Sequence, residues 1–224
     1  MPGRGRVITE IKKLEKYPRN VSIYLDGEFW KNLSLEVAVS LELEKGQEID
    51  TKEIEIIIRT EEKKRALNYS LRFLGTRSRS KEEIRERLVR YRIDKDIIED
   101  TIRQLEKQGY LDDKAFARAW IHDRFILKYL GKNRVRQELI AKGISKEIID
   151  EEFSAYSDRD ERERAKYIAK KRYKAQKEED IEKQSRRMYR YLMSKGFSSS
   201  ISSEIVRKLW KENSDTLNNE DAEN

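Results

Sequence analysis

The chain has 224 residues, room for one domain or two small ones, with 42% charged and 37% hydrophobic side chains and a net charge of +7. No run approaches the ~20 apolar residues of a membrane span, and Met1-Pro2-Gly3-Arg4-Gly5-Arg6 leads into no apolar stretch, so a soluble cytoplasmic protein without a signal peptide is expected. With no cysteine and the single histidine His122, disulfides, thiol chemistry and a His-rich metal cage are excluded and a Ser-His-Asp triad is disfavoured.

Residues 1–50 read as a small strand-rich domain. Val7–Ile11 has strand character. Val21, Ile23 and Leu25 alternate with Ser22 and Tyr24, the period-two pattern of a half-buried strand. Asp26-Gly27 follows and leads into Glu28-Phe29-Trp30. An Asp-Gly pair between such runs predicts a hairpin, because a type I′ turn needs positive φ at both central residues. Ser34 can cap a short helix through Leu41, and Gly46 can turn the chain into a strand near Gln47–Ile49. Tyr24, Phe29 and Trp30 fit core or edge packing better than a base-stacking platform. Asp50, with Glu53 three residues on, opens a long helix that runs to Gly75. Residues 51–65 are expected to be a helical link, since Arg59–Arg65 is poor in apolar side chains.

Beyond Pro18 there is no proline, and apolar residues recur at helical spacing. Self-comparison shows a threefold repeat. Ile84, Leu88, Ile93, Ile97, Ile98 and Ile102, shifted by 51, fall on Val135, Leu139, Ile144, Ile148, Ile149 and Phe153. A further shift of 53 reaches Met188, Leu192, Phe197, Ile201 and Val206, with Ser202 the exception. Lys142-Gly143-Ile144-Ser145 matches Lys195-Gly196-Phe197-Ser198; the first copy has Tyr91-Arg92-Ile93-Asp94 instead. Glycine past a helix end can satisfy the last carbonyls in the left-handed region, and Ser or Asp then caps the next helix. Each copy therefore predicts three helices: residues 66–111, 112–161 and 162–212. Stacked repeats of this kind form solenoids. The expected fold is mostly α, three tandem three-helix repeats in a curved elongated stack behind the small β-containing domain. An acidic tail, 213–224, is expected to be disordered.

Between copies one and two lies Gly109-Tyr110-Leu111-Asp112-Asp113-Lys114-Ala115-Phe116-Ala117. Asp112 or Asp113 can cap the next helix, with Tyr110, Leu111 and Phe116 packed at its root. This run, the tandem repeats and a basic third copy resemble the RecX regulatory proteins, bacterial modulators of the RecA recombinase. The likeness covers residues 60–212, and the strand-rich front resembles an extension found in some members. The resemblance implies a non-enzymatic protein that binds the RecA filament on single-stranded DNA and hinders its ATP hydrolysis, strand exchange and coprotease action. It implies the RecA filament and single-stranded DNA as partners, no cofactor, no metal and no catalytic residue; a monomer is expected.

Charge adds a location. Residues 1–65 are neutral, 66–113 and 114–161 carry +1 each, and 162–212 carry +9. Candidate contacts to DNA phosphates or to acidic protein surface are Arg77, Arg79 and Arg85 in the first repeat and Lys132, Arg134 and Arg136 in the second. In the third they are Lys170, Lys171, Arg172, Arg186, Arg187 and Arg190. An enzyme is disfavoured: there is no glycine-rich phosphate loop, and His122 beside Trp120 reads as a structural or surface histidine. The competing class is a stand-alone helical DNA-binding protein, each repeat being a helix-turn-helix in outline. The helices after the turns begin Asp94-Lys95-Asp96, Ser145-Lys146-Glu147 and Ser198-Ser199-Ser200, and the acids in the first two argue against base readout.

Overall fold

A computed structural model describes residues 5–173 and 181–220. They fall into two compact units, Met1–Arg77 with Arg85–Lys107, and Ser78–Ile84 with Gln108–Asn224.

In the first unit β1 (Arg6–Leu14), β2 (Tyr17–Leu25) and β3 (Glu28–Ser34) form an antiparallel meander, and the short β4 (Glu48–Ile49) pairs with β1, giving the order β3-β2-β1-β4. Asp26 (φ 51°) and Gly27 (φ 86°) make the tight turn that the Asp-Gly pair predicts. Asp26 also accepts from Arg6 Nε at 2.8 Å and from Val7 N at 3.0 Å, and these bonds hold its carboxyl below the usual carboxylate range. Ser34 caps α1 (Leu35–Ser40) by accepting from Val37 N, and Asp50 caps α2 (Thr51–Leu74) by accepting from Lys52 N and Glu53 N. Ile8, Val21, Ile23, Leu25, Leu33, Val37 and Ile49 form the core, with Trp30 against it. Tyr24 and Phe29 pack edge to face at the surface, ring centroids 5.9 Å apart.

Residues 51–65 are more than a link. Ile58 is fully buried in the strand core and Ile54 packs beside it. Farther along, Arg59 pairs with Asp96, and Lys63 lies 3.0 Å from Asp100, both acids on α4 (Lys95–Lys107). Burying a side chain such as Ile58 contributes about 1.5–3 kcal/mol, whereas exposed ion pairs contribute at most about 1 kcal/mol. The apolar anchor therefore places α2, and the ion pairs account for a stretch that reads as bare in the sequence.

α3 (Lys81–Arg90) and α4 follow, then in the second unit α5 (Asp113–Ile121), a π-helical turn (His122–Leu127), α6 (Lys132–Ala141) and α7 (Lys146–Phe153). The third repeat is α8 (Asp158–Tyr173), α9 (Ile181–Ser194) and α10 (Ser199–Glu220). α10 runs on through the first part of the acidic segment expected to be disordered: neither glycine nor proline interrupts it, and acidic charge alone does not end a helix. The last four residues of that segment lie outside the described residues.

The repeat positions are core positions. All are buried except Ile148, which is half-buried. Ser202, the exception to the apolar pattern, is also buried, and its hydroxyl has no hydrogen-bond partner among the described residues. An unsatisfied buried hydroxyl costs about 1–3 kcal/mol. Ser202→Ala is therefore expected to raise stability by about 1 kcal/mol, and a lower urea midpoint for the variant would contradict this account.

The glycine turns acquire a second role. Gly143 (φ 75°) and Gly196 (φ 90°) are left-handed, and both are seats for the preceding repeat. A Cβ on Gly143 would lie 2.3 Å from Glu82 Cβ, and one on Gly196 would lie 2.6 Å from Arg134 N. Around Gly143, Ser80 Oγ donates to Lys142 O at 2.6 Å and Lys142 Nζ meets Glu83 at 2.7 Å. Around Gly196, Gly131 N donates to Lys195 O at 2.8 Å and Asn133 N to Gly196 O at 3.2 Å. In both cases the start of one repeat's middle helix sits on the next repeat's turn. The first copy has no earlier repeat to receive, and there Arg92 takes the left-handed position with φ 60°.

Asp112 and Asp113 divide the capping. Asp112 accepts from Lys114 N and Ala115 N of its own helix, while Asp113 accepts from Lys81 N at the start of α3. Leu111 and Phe116 are buried, but Tyr110, expected to pack with them, is 57% exposed, because Gly109 (φ 74°) turns the chain outward there.

Candidate functional site

In the first two repeats most sequence-predicted cations meet acids or carbonyls. Arg79 has a side chain only 13% exposed and lies 3.9 Å from Glu83. Arg85 grips Glu99 with two bonds, 2.8 and 3.0 Å, and this holds the Glu99 carboxyl below its usual range. Arg77 is exposed in the loop after α2.

Lys132 Nζ donates to Tyr156 O at 2.8 Å and lies 3.3 Å from Asp158. Arg134 donates to Ser194 O across the repeat boundary, and Arg136 pairs with Asp150 while lying over the Phe153 ring. These three groups hold helices together. Glu161 does the same from the other side: it is buried, accepts from Lys132 N at 2.9 Å, and burial pushes its carboxyl up. His122 is exposed at the start of the π-helical turn.

The third repeat differs. Arg186 and Arg190 on α9 and Arg207 on α10 line one open cleft of about 680 Å³, together with Tyr189 and Ser203. Met188 and Leu192 anchor α9 from beneath, as Ile205 and Leu209 anchor α10, so the basic faces point outward by helical periodicity. Arg186 reaches Glu182 one turn back, and Arg190 Nε lies 3.4 Å from Arg186 O. Arg207 makes no side-chain hydrogen bond or ion pair among the described residues. Tyr189 and Ser199 are joined through their hydroxyls at 3.0 Å.

Arg187 is exposed on α9 without lining the cleft. Lys170, Lys171 and Arg172 are exposed at the end of α8, where Arg172 lies over the Tyr191 ring at 4.3 Å. None of the three lines the cleft. Arg207 was not among the sequence candidates. Its position four residues after Ser203, on the outward face of the last helix, was the available signal.

The arrangement offers several exposed positive charges, a ring and hydroxyls on a two-helix surface. It suits phosphate oxygens or carboxylates of a large partner.

Three family models match the chain: RecX, first three-helix domain, at 66–105; RecX, second three-helix domain, at 112–151; and RecX, third three-helix domain, at 160–206. The chain is 32% identical over 203 residues to the "Regulatory protein RecX" of Clostridioides difficile (strain 630), covering 91% of this chain and 95% of that one. With the protein of the same name from Clostridium beijerinckii it shares 29% over 204 residues, covering 90% and 95%. Among solved structures, the "Crystal structure of regulatory protein RecX" superposes with a TM-score of 0.60 at 27% identity, covering 89% of this chain and 98% of that one.

Proposed function

Because the chain belongs to the RecX family of regulatory proteins, we propose that it is a non-enzymatic regulator that binds the RecA filament on single-stranded DNA and lowers its ATPase, strand-exchange and coprotease activities. The observation that carries this is the separation of charge by role. Cations of the first two repeats are largely engaged in holding the fold, while Arg186, Arg190 and Arg207 converge on one open surface of the third. A protein whose basic groups were only solubilising would have no reason to gather them over a cleft between two anchored helices.

The test is the rate of DNA-dependent ATP hydrolysis by the recombinase with increasing amounts of this protein. A fall to a low plateau near stoichiometric ratios is expected, and an unchanged rate at saturation would sink the proposal. Equal affinity for bare single strands and for filaments would favour the stand-alone DNA-binding class instead.

A further inference from the structure

We propose a second anion-binding surface, on the first unit, that takes the backbone of single-stranded nucleic acid. It is a cleft of about 230 Å³ between the start of β2, where Lys16 of the β1–β2 turn leads into Tyr17 and Arg19, and the end of α3, where Arg90 is followed by Tyr91 and Arg92 of the turn after it. Among the described residues no carboxylate lines it. Arg65 also borders it, but this side chain is 9% exposed and donates to Glu36, so its charge is already neutralised. Arg90 lies 3.7 Å from Glu86 in an exposed pair, and such pairs are weak. The side chains of Arg19 and Arg92 make no hydrogen bond or ion pair among the described residues.

Two features select nucleic acid over an acidic protein segment. The first is the aromatic lining. The Arg92 guanidinium lies 3.9 Å from the Tyr17 ring centroid, and Tyr91 stacks on Tyr69 at 4.4 Å. A guanidinium over a ring and a stacked pair of rings beside it offer π faces for a base and charge for phosphate, which is how single strands are commonly held. The second is strain. Arg92 occupies the left-handed position that glycine fills in the other two repeats. A side chain there costs about 1–2 kcal/mol, and such strain tends to persist where the side chain is used. The adjoining cleft shares Tyr17 and Arg92 but carries Glu62 and Asp94, which confines an anionic strand to the Lys16–Arg90 side.

This surface is separate from the third-repeat cleft and is tested without recombinase, so its failure and that of the regulatory proposal are distinguishable. The full chain is titrated against a fluorescent oligothymidine at several salt concentrations, alongside the double variant Arg19→Ala/Arg92→Gly. Glycine at 92 relieves the strained backbone, so the variant should fold at least as well as the parent, checked by thermal unfolding. The parent should bind, and the variant about tenfold more weakly at low salt, with a salt slope smaller by about 1.4 for two lost contacts on a single strand. Equal affinities and slopes, or no binding by the parent at low salt, would overturn the proposal. So would oligonucleotide binding that is unchanged while filament binding falls, which would assign the cleft to an acidic protein surface.

Discussion

Gly131→Ala should destabilise the second unit by about 3 kcal/mol, an overpacking cost that the surrounding backbone cannot relieve. A Cβ at this position would lie 2.2 Å from Gly196 C and 2.3 Å from both Gly196 O and Phe197 N. All three are backbone atoms, so no rotamer change makes room. The two repeats must part, weakening the bonds from Gly131 N to Lys195 O and from Asn133 N to Gly196 O. Local backbone preferences cannot produce such a loss. Gly131 has φ −70°, which alanine adopts freely. The gain from a stiffer unfolded chain and the loss of a helix-capping glycine are each about 1 kcal/mol or less and opposite in sign. In a chain of this size the expected fall in Tm is about 6–12 °C. Gly75→Ala is the matching control, since its Cβ would meet nothing closer than 3.5 Å and its φ is −61°. A Gly131→Ala protein with the parent's Tm would show that the second and third repeats are not joined through this contact.

Reversing Arg186, Arg190 and Arg207 to glutamate should weaken binding to the nucleoprotein filament about a hundredfold at low salt. Three lost phosphate contacts on a single strand should also lower the salt slope by about 2. The fold should survive, because the three side chains are exposed and, among the described residues, their one carboxylate partner is Glu182, one turn from Arg186, a pair worth a few tenths of a kcal/mol. Lys170→Glu/Lys171→Glu alters charge on the same repeat away from the cleft and should do much less. If that double variant is as defective as the triple one, the third repeat acts through its overall field and the cleft has no special part. Lys132, Arg134 and Arg136 are unsuitable for such a comparison. Their reversal would place carboxylates against Tyr156 O, Ser194 O and Asp150, and a binding defect would then report unfolding.

Much of the fold was legible because it is written in short-range rules. Helix starts at Ser34, Asp50, Asp112 and Ser145 follow from a side chain reaching a backbone N–H two or three residues on. The Asp26-Gly27 turn follows from the φ angles those residues tolerate. The repeat's buried positions follow from helical periodicity, and Ser202, the exception to the apolar pattern, is buried at the same place in the register. The misplaced features show where those rules stop. Tyr110 belongs to an apolar run yet faces outward, and the bare stretch Arg59–Arg65 is paired with acids on another helix.

The sequence by itself determined the period of the repeat, its core positions, its caps and the segment that holds the basic excess. These depend on dihedral preferences and on neighbours within about one helical turn. Tertiary structure alone decided which cations are available. Arg85 finds Glu99, Lys132 finds Asp158, and Arg134 finds Ser194, through separations along the chain that no local pattern encodes. Electrostatic attraction depends on distance through space and is screened over about 10 Å of salt water, so charge counted along the chain cannot tell a neutralised arginine from an open one. The same limit hid the cleft of the first unit. Its cations lie in a neutral segment and, some seventy residues later, at the end of α3 and in the turn after it, and only packing brings Arg92 onto Tyr17.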